Sequence, residues 1–364
     1  MSKIFLDAPN IGEREKKRII QAMDAGYVST VGPFVPEFEQ KFAEYVGAKN
    51  AVSTQSGTAA IHITLHELGI GQGDEVIVPA LTFVATVNPV LYVGATPVIV
   101  DVDPETWNIC PNEIKKAITK KTKAIIPVHL YGNPCNMDEI MKIAKEHNLY
   151  VIEDATESMG SIYQGRQTGT FGDMGCFSFN GNKIITTGGG GMIATNNDKR
   201  AVHIKYLVNQ ARNSDEYYHS EMGFNYRMTN IEAALGLAQL ENVDNFLKQK
   251  RKYAQIYREE LGSISGIEFQ SEDKNAKSNF WLTCAVIDGD KRITDLFRVC
   301  KENNIPVRRI FMPLGEMPYL KTFAKECPNA QEIYQKGICL PSSTLNSEEQ
   351  IKKVAVILKD NSSG

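Results

Sequence analysis

The stretch MGCFSFNGNKIITTGGGGMIAT, residues 174–195, decides the fold because it joins two apolar runs through a polar loop that carries one lysine. Its two ends, 174–179 and 190–195, are apolar almost throughout, as strands buried on both faces are. Lys183 lies in the loop, and four consecutive glycines follow it. Glycine loses more backbone freedom on folding than any other residue. Four glycines between two strands therefore indicate main chain that approaches another group closely, rather than a mobile loop.

Further apolar runs place this stretch in a larger sheet. Runs rich in Val and Ile alternate with amphipathic stretches from about residue 35 to about residue 200. The predicted strands are 75–79, 97–101, 123–129, 149–154, 174–179 and 190–195. The helix candidates between them are 58–69, 111–121 and 137–148. Strands that alternate with helices along the chain predict an α/β fold with a large, mostly parallel sheet.

The chain changes character after about residue 240. The elements predicted there are a long charged helix at 239–261, a strand at 280–288, and helices at 291–303 and 347–359. With 364 residues, the chain is also too long for one small core. We therefore predict a large domain over residues 1–240, a smaller C-terminal α/β domain over 241–360, and a disordered tail at 361–364.

The composition excludes several classes of protein. The formal net charge is −3 at pH 7, so no basic field indicates a nucleic-acid partner. No run of about 18 apolar residues occurs, and the first residues lack the apolar stretch of a signal peptide. The seven cysteines contain no CxxC pair, which argues against a structural metal and a disulfide framework. We therefore expect a cytoplasmic protein with no metal, no membrane and no nucleic acid as partner.

Polar residues follow three of the strand-like runs, at the position where ligands of parallel α/β sheets bind. Asp154 follows the fourth run, and Asn180 and Lys183 follow the fifth. Gly57 and Thr58 open a helix after the run AVST. The free N–H groups and the positive dipole at a helix start favour an anion such as phosphate.

Each of these residues also has an ordinary structural explanation. Ser and Thr are frequent helix N-caps, strand-end carboxylates often cap the next helix, and most lysines are solvated. Together, however, an amine, a carboxylate and an anion site are what pyridoxal 5′-phosphate (PLP) requires. A carboxylate beside the pyridine nitrogen favours its protonated form. Phe83, which follows the strand at 75–79, either stacks on the ring or packs in the core.

Seven stretches extend this pattern over nearly the whole chain. They are SGTAA (56–60), PALTFVAT (79–86), GATPVIVDVD (94–103), PVHLYGNP (127–134), IEDATESMGS (152–161), GTFGDMGCFSFNGNKIITTGGGGMIAT (169–195) and GFNYRMTNIEAALGLAQLE (223–241). In these stretches the chain resembles the sugar aminotransferases of the DegT/DnrJ/EryC1/StrS family, which belong to the fold-type I PLP enzymes. The resemblance implies an aspartate aminotransferase-like α/β fold, with PLP as the cofactor and pyridoxamine phosphate as its intermediate form.

The resemblance also assigns roles to individual residues. Lys183 would form the Schiff base with PLP and Asp154 would pair with the pyridinium nitrogen, so these two are the predicted catalytic residues. Phe83 would lie over the ring. Glu157 stands near the ring hydroxyl, where the family often has Gln or His. The residues that would bind the phosphate are Gly57, Thr58 and Ser178.

A further polar segment implies a second subunit. Asn225 would reach the phosphate of the neighbouring chain, which implies an obligate homodimer with shared active sites. Arg227 would lie close by and, with Asn180, would contact the substrate. The chain departs from the family at Asn180, where many members have His or Tyr, and in TTGGGG, where many have TTGEGG.

The resemblance implies transfer of an amino group from L-glutamate to a nucleotide-linked keto sugar, as part of amino sugar biosynthesis for a bacterial surface glycan. SFNGNK (178–183) and QKGICLP (335–341) resemble the bacillosamine- and legionaminic-type C4 aminotransferases. The main prediction is therefore conversion of UDP-4-keto-6-deoxy-N-acetylglucosamine to UDP-4-amino-4,6-dideoxy-N-acetylglucosamine. DATES (154–158) and VIVPALTFVAT (76–86) instead resemble GDP-perosamine synthases, which act on GDP-4-keto-6-deoxymannose. A C3-keto sugar is a further alternative.

Two other functions, one of them non-catalytic, are compatible with the same fold. PLP-dependent sugar dehydratases resemble this family but lack the Schiff-base lysine, so Lys183 argues against a dehydratase. A non-catalytic relative would need none of Lys183, Asp154 and Ser178, and it is the least favoured alternative.

Overall fold

The computed structural model describes residues 3–213 and 216–361, and its largest element is a sheet of seven strands. In the order in which they lie across the sheet, the strands are β1 (Asn50–Thr54), β9 (Gly191–Thr195), β8 (Met174–Ser178), β5 (Tyr150–Asp154), β4 (Thr122–Ile125), β2 (Glu75–Pro79) and β3 (Thr96–Val100). Neighbouring strands are parallel except where β9 pairs with β1 and β8. The loop that carries Lys183 joins β8 to β9 without a crossover helix, as antiparallel neighbours allow. The predicted α/β fold with a mostly parallel sheet is confirmed.

Helices pack against this sheet and bury its apolar strands. They are α1 (Glu13–Asp24), α2 (Phe34–Val46), α3 (Gly57–Glu67), α4 (Asn88–Tyr92), α5 (Pro111–Ala117), α6 (Met137–His147), α7 (Asp198–Leu207) and α8 (Asn230–Leu240). The predicted helices at 58–69, 111–121 and 137–148 correspond to α3, α5 and α6. The helix α5 ends four residues early because Ile118 is extended, with φ −66° and ψ 129°.

The C-terminal part of the chain forms a second sheet, in which all neighbouring strands are antiparallel. Its strands are, in order, β10 (Ile267–Phe269), β12 (Thr283–Ile287), β14 (Gly337–Leu340) and β13 (Arg308–Arg309). Its helices are α9 (Val243–Leu261), α10 (Asp290–Glu302), α11 (Pro328–Lys336) and α12 (Glu348–Asp360). A small third sheet contains β11 (Ala276–Lys277), β6 (Ile162–Tyr163) and β7 (Arg166–Gln167).

The apolar core beside each main sheet contains residues from both parts of the chain. Ile4, near the N-terminus, lies in the core beside the second sheet, whereas Leu282 and Cys339 lie in the core of the first. The predicted domain division after residue 240 therefore stays a prediction. Apart from Asn361, the predicted tail at 361–364 lies outside the described residues. Across residues 3–213 and 216–361, no helix combines the length and the apolar character that crossing a bilayer requires.

A break divides one predicted helix at the start of the C-terminal part. The predicted helix at 239–261 is two helices, because α8 ends at Leu240 and α9 begins at Val243. Between them Asn242 leaves helical geometry, with φ −116° and ψ 4°. Its Oδ1 accepts a hydrogen bond from Asn245 Nδ2 at 2.7 Å. Asn side chains favour helix ends because they form such local hydrogen bonds in competition with the helix.

Asp101, one residue beyond β3, fastens α11 to the large sheet. Its carboxylate accepts hydrogen bonds from the backbone N–H groups of Asn329 and Ala330, both at 3.0 Å. In return, Asn329 Nδ2 donates to the carbonyl of Val102 at 2.8 Å. A carboxylate at a helix start satisfies amides that have no partner within the helix, and it interacts favourably with the dipole. The second sheet is thereby held at a fixed position beside the first.

We expect Asp101→Ala to lower the free energy of unfolding by about 1–3 kcal/mol, the range for a lost cap that leaves buried amides unpaired. Urea unfolding followed by circular dichroism measures the change. Glu146→Ala is the control, since it removes an exposed carboxylate of α6 and should change stability by no more than about 0.5 kcal/mol. A loss at Asp101 that only equals the control would contradict its anchoring role.

Candidate active site

A cavity of about 320 Å³ opens where the carboxyl ends of the first sheet meet the C-terminal part of the chain. Ligands of open α/β sheets bind at this position. The C-terminal part contributes Trp281, Arg308 and Phe311 to the wall. The predicted site residues that line the same cavity are Gly57, Thr58, Phe83, Glu157, Ser178, Asn180 and Lys183. The structure thus brings together most of the residues that the sequence singled out.

Asp154 lies below this cavity, as the last residue of β5, and is 3% exposed. Its Oδ2 accepts a hydrogen bond from the Thr86 hydroxyl at 2.6 Å. Its Oδ1 accepts bonds from the Thr156 hydroxyl at 2.7 Å and from the Thr156 N–H at 3.2 Å. These hydrogen bonds fix the orientation of the carboxylate. Asp154 is therefore a fixed, buried carboxylate, and its partner Thr156 lines the cavity.

Lys183 presents its amine to the cavity between an acid and an aromatic ring. Its Nζ lies 3.6 Å from Glu157 Oε1 and 4.0 Å from the ring centroid of Trp281. The lysine side chain is 13% exposed. Its backbone N–H donates to the carbonyl of Asn180 at 3.0 Å, which tightens the turn after β8. The amine is thus held at the cavity wall rather than solvated.

Glu157 is the acid beside this amine, and its carboxyl titrates near neutral pH. Burial raises its pKa to about 7, and the nearby Asp154 adds to this effect. Lys183 and the backbone N–H of Tyr131, which donates to Glu157 Oε2 at 2.8 Å, lower the pKa and limit the rise. A carboxyl with such a pKa, in contact with an amine, can hold or release a proton at physiological pH.

The start of α3 lies on another wall of the cavity. Ser56 caps the helix by accepting the N–H of Ala59 at 3.0 Å. The first amides of a helix have no partner within the helix, and the hydroxyls of Thr58 and Ser178 line the same wall. A Cβ at Gly57 would lie 2.9 Å from Ser178 Cβ, so only glycine lets β8 approach the helix this closely. The arrangement suits a phosphate group.

The glycines after Lys183 allow the close approach that the sequence predicted. A Cβ at Gly191 would lie 2.5 Å from the carbonyl carbon of Ser56. Gly190 has φ +91°, in the left-handed region, and a Cβ there would lie 2.3 Å from Thr187 Oγ1. The loop therefore returns along the start of α3, and the lysine and the helix start share one cavity.

Three aromatic side chains, Phe83, Phe311 and Trp281, line the cavity, and the buried Tyr131 packs between two of them. Phe83 lies in the wall of the cavity, 55% exposed, with its ring 5.7 Å from that of Phe311. Phe311 stacks on Tyr131 at 5.2 Å, and Tyr131 stacks on Trp281 at 6.2 Å. The row ends at the indole that contacts Lys183. An aromatic, apolar wall of this kind suits a planar ring.

Asn225 and Arg227 lie outside this cavity. Asn225 is exposed and forms a backbone bridge with Asn209. Arg227 lines a second cavity of about 350 Å³ together with Lys205. Its Nε is buried without a hydrogen-bond partner in the described part of the chain, and burial lowers its pKa. The predicted contacts of these two residues with a neighbouring subunit's site stay predictions.

Sequence reasoning missed the residues that the C-terminal part supplies. Arg308 brings a second cation to the cavity, and its guanidinium lies 3.2 Å from Asp7 Oδ2. Asp7 also accepts a hydrogen bond from Asn182 Nδ2 at 3.0 Å. In the sequence, the aromatic pair Phe280–Trp281 at the start of a predicted strand could have indicated this contribution to the site.

The residues present fit PLP. An amine, a helix start with free amides and aromatic side chains line one cavity, and a buried carboxylate contacts its wall through Thr156. PLP requires these groups for its aldehyde, its phosphate, its ring face and its ring nitrogen, respectively. The residues that would hold it are Lys183, Asp154, Gly57, Thr58 and Ser178.

Comparison with known proteins identifies relatives along the whole chain. The model of the DegT/DnrJ/EryC1/StrS aminotransferase family matches residues 9–359. The chain is 41% identical over 354 residues to GDP-perosamine synthase of Escherichia coli O157:H7, and the match covers 96% of each protein. It is 41% identical over 364 residues to GDP-perosamine synthase of Caulobacter vibrioides, with 98% of each covered.

A solved structure shows the same fold. The PLP form of Spr1654, a candidate sugar aminotransferase from Streptococcus pneumoniae, matches with a TM-score of 0.94 and 26% identity, covering 99% of this chain and 98% of that one. The PMP form of Spr1654 also matches with a TM-score of 0.94, at 25% identity and 99% coverage of each chain.

The family match and these relatives confirm the predicted fold, the predicted aminotransferase activity and PLP as the cofactor. The predicted closeness to bacillosamine- and legionaminic-type enzymes stays a prediction. The chain belongs to the DegT/DnrJ/EryC1/StrS aminotransferase family, as a PLP-dependent sugar aminotransferase.

Proposed function

We propose that this enzyme moves an amino group from L-glutamate to the C4 ketone of GDP-4-keto-6-deoxymannose. The observation that carries the proposal is the 41% identity, over nearly the whole chain, to two GDP-perosamine synthases. This observation favours the GDP-linked alternative over the UDP-linked sugar of the main prediction. The product is then a GDP-linked 4-amino-4,6-dideoxy sugar.

Lys183 is the proposed centre of the reaction. PLP, when bound, supplies an electron sink that stabilises negative charge on the carbon next to the amine. The Nζ of Lys183 would hold the cofactor and would then take a proton from the α-carbon of glutamate. In the second half of the cycle the same Nζ returns a proton to C4 of the sugar. Both transfers are possible because the amine lies at the cavity wall, 13% exposed.

Three neighbouring side chains would support the reaction at this amine. Glu157, whose pKa burial raises to about 7, lies 3.6 Å from Nζ and can exchange a proton with it. The indole of Trp281 covers one side of the amine, with its ring centroid 4.0 Å from Nζ. Asp154, fixed by two threonines, is the anion that would keep the ring nitrogen protonated.

We also propose that two copies share their active sites. Asn225 is exposed and lies outside the cavity of its own chain, so it is free to bind the phosphate of a partner. Arg227 carries a buried Nε that has no hydrogen-bond partner among the described residues, as expected of a group that is satisfied by a second molecule. Arg227 and Asn180 are the proposed sugar-contacting residues. Phe83, half exposed in the cavity wall, would lie over the ring of the bound cofactor.

A reducing location, the cytoplasm, is proposed for the enzyme. All seven cysteines are free thiols, and six are buried. The Sγ atoms of Cys284 and Cys339 lie 3.4 Å apart in a thiol contact. Disulfides are rare in the cytosol, where thiols are kept reduced.

With L-glutamate, the wild-type enzyme should convert GDP-4-keto-6-deoxymannose with a kcat/KM at least about 100-fold above that for UDP-4-keto-6-deoxy-N-acetylglucosamine. The reason is that polar groups which bind one nucleotide and sugar are left unpaired by the other. Mass spectrometry of the amino sugar products measures both rates. Lys183→Ala, the control, should convert neither sugar.

Other results would change the proposed substrate or the proposed role of Lys183. Faster conversion of the UDP-linked sugar would show that the UDP-linked sugar of the main prediction is the substrate. A product aminated at C3 would exclude a C4 enzyme. Turnover by Lys183→Ala within about tenfold of wild type, a barrier change of only about 1.4 kcal/mol, would remove Lys183 from the mechanism.

Asp154→Asn should lower kcat at least about 100-fold, which corresponds to about 2.7 kcal/mol of transition-state stabilisation. The amide keeps the shape of the carboxylate but cannot favour the protonated ring nitrogen. Cofactor content, measured by absorbance, should remain close to that of wild type. Thr86→Val removes one bond to the carboxylate and should have a smaller effect. If Asp154→Asn is as active as Thr86→Val, Asp154 is a structural residue.

Mixing inactive homodimers tests the shared site. In a heterodimer of Lys183→Ala and Asn225→Ala subunits, one site would carry both defects and the other would carry neither. Activity should therefore return to up to about half of the wild-type value per dimer. If verified subunit exchange restores nothing, both residues serve the same chain's site, and the proposal of shared sites is wrong.

A further inference from the structure

Lys250 is a buried lysine near the active site, and the proposed reaction gives it no role. It lies in α9 and is 4% exposed. Its Nζ donates hydrogen bonds to the backbone carbonyls of Trp281 and Ser342, both at 2.9 Å. No carboxylate in the described ranges forms a salt bridge with it, and burial lowers its pKa to about 7. Lysines are almost never buried unless they are paired, because desolvating an ammonium is costly.

The indole of Trp281 connects this buried lysine to the active-site lysine. Its ring centroid lies 4.0 Å from the Nζ of Lys183. Its Nε1–H donates to the carbonyl of Asn182, the residue before Lys183, at 2.6 Å. The indole therefore contacts the amine and also fixes the backbone from which that amine extends.

The segment that contains Trp281 also supports Glu157. The N–H of Trp281 donates to Asn279 Oδ1 at 2.7 Å. Asn279 Nδ2 in turn donates to the carbonyl of Glu157 at 2.8 Å. At the other end of the Trp281 residue, Lys250 Nζ donates a hydrogen bond to the backbone carbonyl. Without Lys250, two buried carbonyls would lose their donor, and the backbone of Trp281 would lose one of its fixed hydrogen bonds.

We propose that Lys250 is a positioning residue: it fixes the backbone of Trp281, and the Trp281 indole in turn fixes the amine of Lys183 at the cavity wall. The proposal rests on the proposed role of Lys183 in the reaction. Lys250 contacts neither the cavity nor the amine, so its effect passes through the indole.

Competitive labelling of amines with a trace of acetic anhydride, read by peptide mass spectrometry, tests this arrangement in the protein without cofactor or substrate. Lys250→Met keeps most of the length of the side chain but removes its donors. The variant should raise the labelling rate of Lys183, relative to the exposed Lys17, by roughly fivefold, because loss of a fixed cation–π contact frees the amine. Circular dichroism checks that the variant is folded.

Tyr257→Phe is the matched control. Its hydroxyl donates to the carbonyl of Pro341 at 3.0 Å from the same helix, next to Ser342. Removing this buried bond should leave the labelling of Lys183 unchanged. Equal increases in Tyr257→Phe and Lys250→Met would mean a general loosening of α9 and would overturn the proposal, as would an unchanged rate in folded Lys250→Met.

Trp281→Phe tests the second step independently, should Lys250→Met not fold. Phenylalanine keeps an aromatic face but cannot bond the carbonyl of Asn182, so Lys183 should again label faster. An unchanged rate would show that the indole does not fix the amine. Because labelling needs neither sugar nor cofactor, a wrong assignment of the substrate or of the Lys183 role appears only in the turnover of Lys183→Ala and leaves these rates unaffected.

Discussion

The close contact between the main chain at Gly191 and Ser56 is the constraint on which the site depends. A side chain at Gly191 would meet the carbonyl carbon of Ser56 at 2.5 Å, so β9 and the start of α3 can lie together only with glycine there. The contact brings the start of α3 and the loop of Lys183 to the same end of the sheet. After this loop the chain turns back along the helix, and β9 runs antiparallel to β1 and β8.

Much of this arrangement could be predicted from the sequence because local patterns carry it. Runs of Val and Ile mark strands that are buried on both faces, and polar residues at their carboxyl ends mark the edge where ligands bind. Gly57 and Asp154 follow directly from these two rules. The alternation of side chains along a strand also separates two adjacent acids, since successive residues point to opposite faces. Asp154 receives the hydroxyls of Thr86 and Thr156, next to the cavity.

Its neighbour Glu153 shows what the sequence could not reveal. It is fully buried and accepts the backbone N–H groups of Gly169, Phe171 and Gly172 at 2.6–2.7 Å. His129 Nε2 also lies 3.0 Å from this carboxylate. Nothing in the residue types distinguishes this structural acid from a catalytic one, because its partners are backbone groups of a distant turn. The aromatic wall was hidden for a similar reason, since Trp281 and Phe311 reach the cavity from elements far along the chain.

The contacts of Asp7 have a consequence for the order in which the molecule forms. Asp7 binds Asn182 and Arg308, which follow it by 175 and 301 residues. Contacts between such distant residues form late, because the loss of chain entropy on closing the loop comes before any gain. During synthesis Asp7 leaves the ribosome 301 residues ahead of its partner Arg308. The cavity around Lys183 is therefore complete only after Arg308 has been made, and a shorter nascent chain lacks part of its wall.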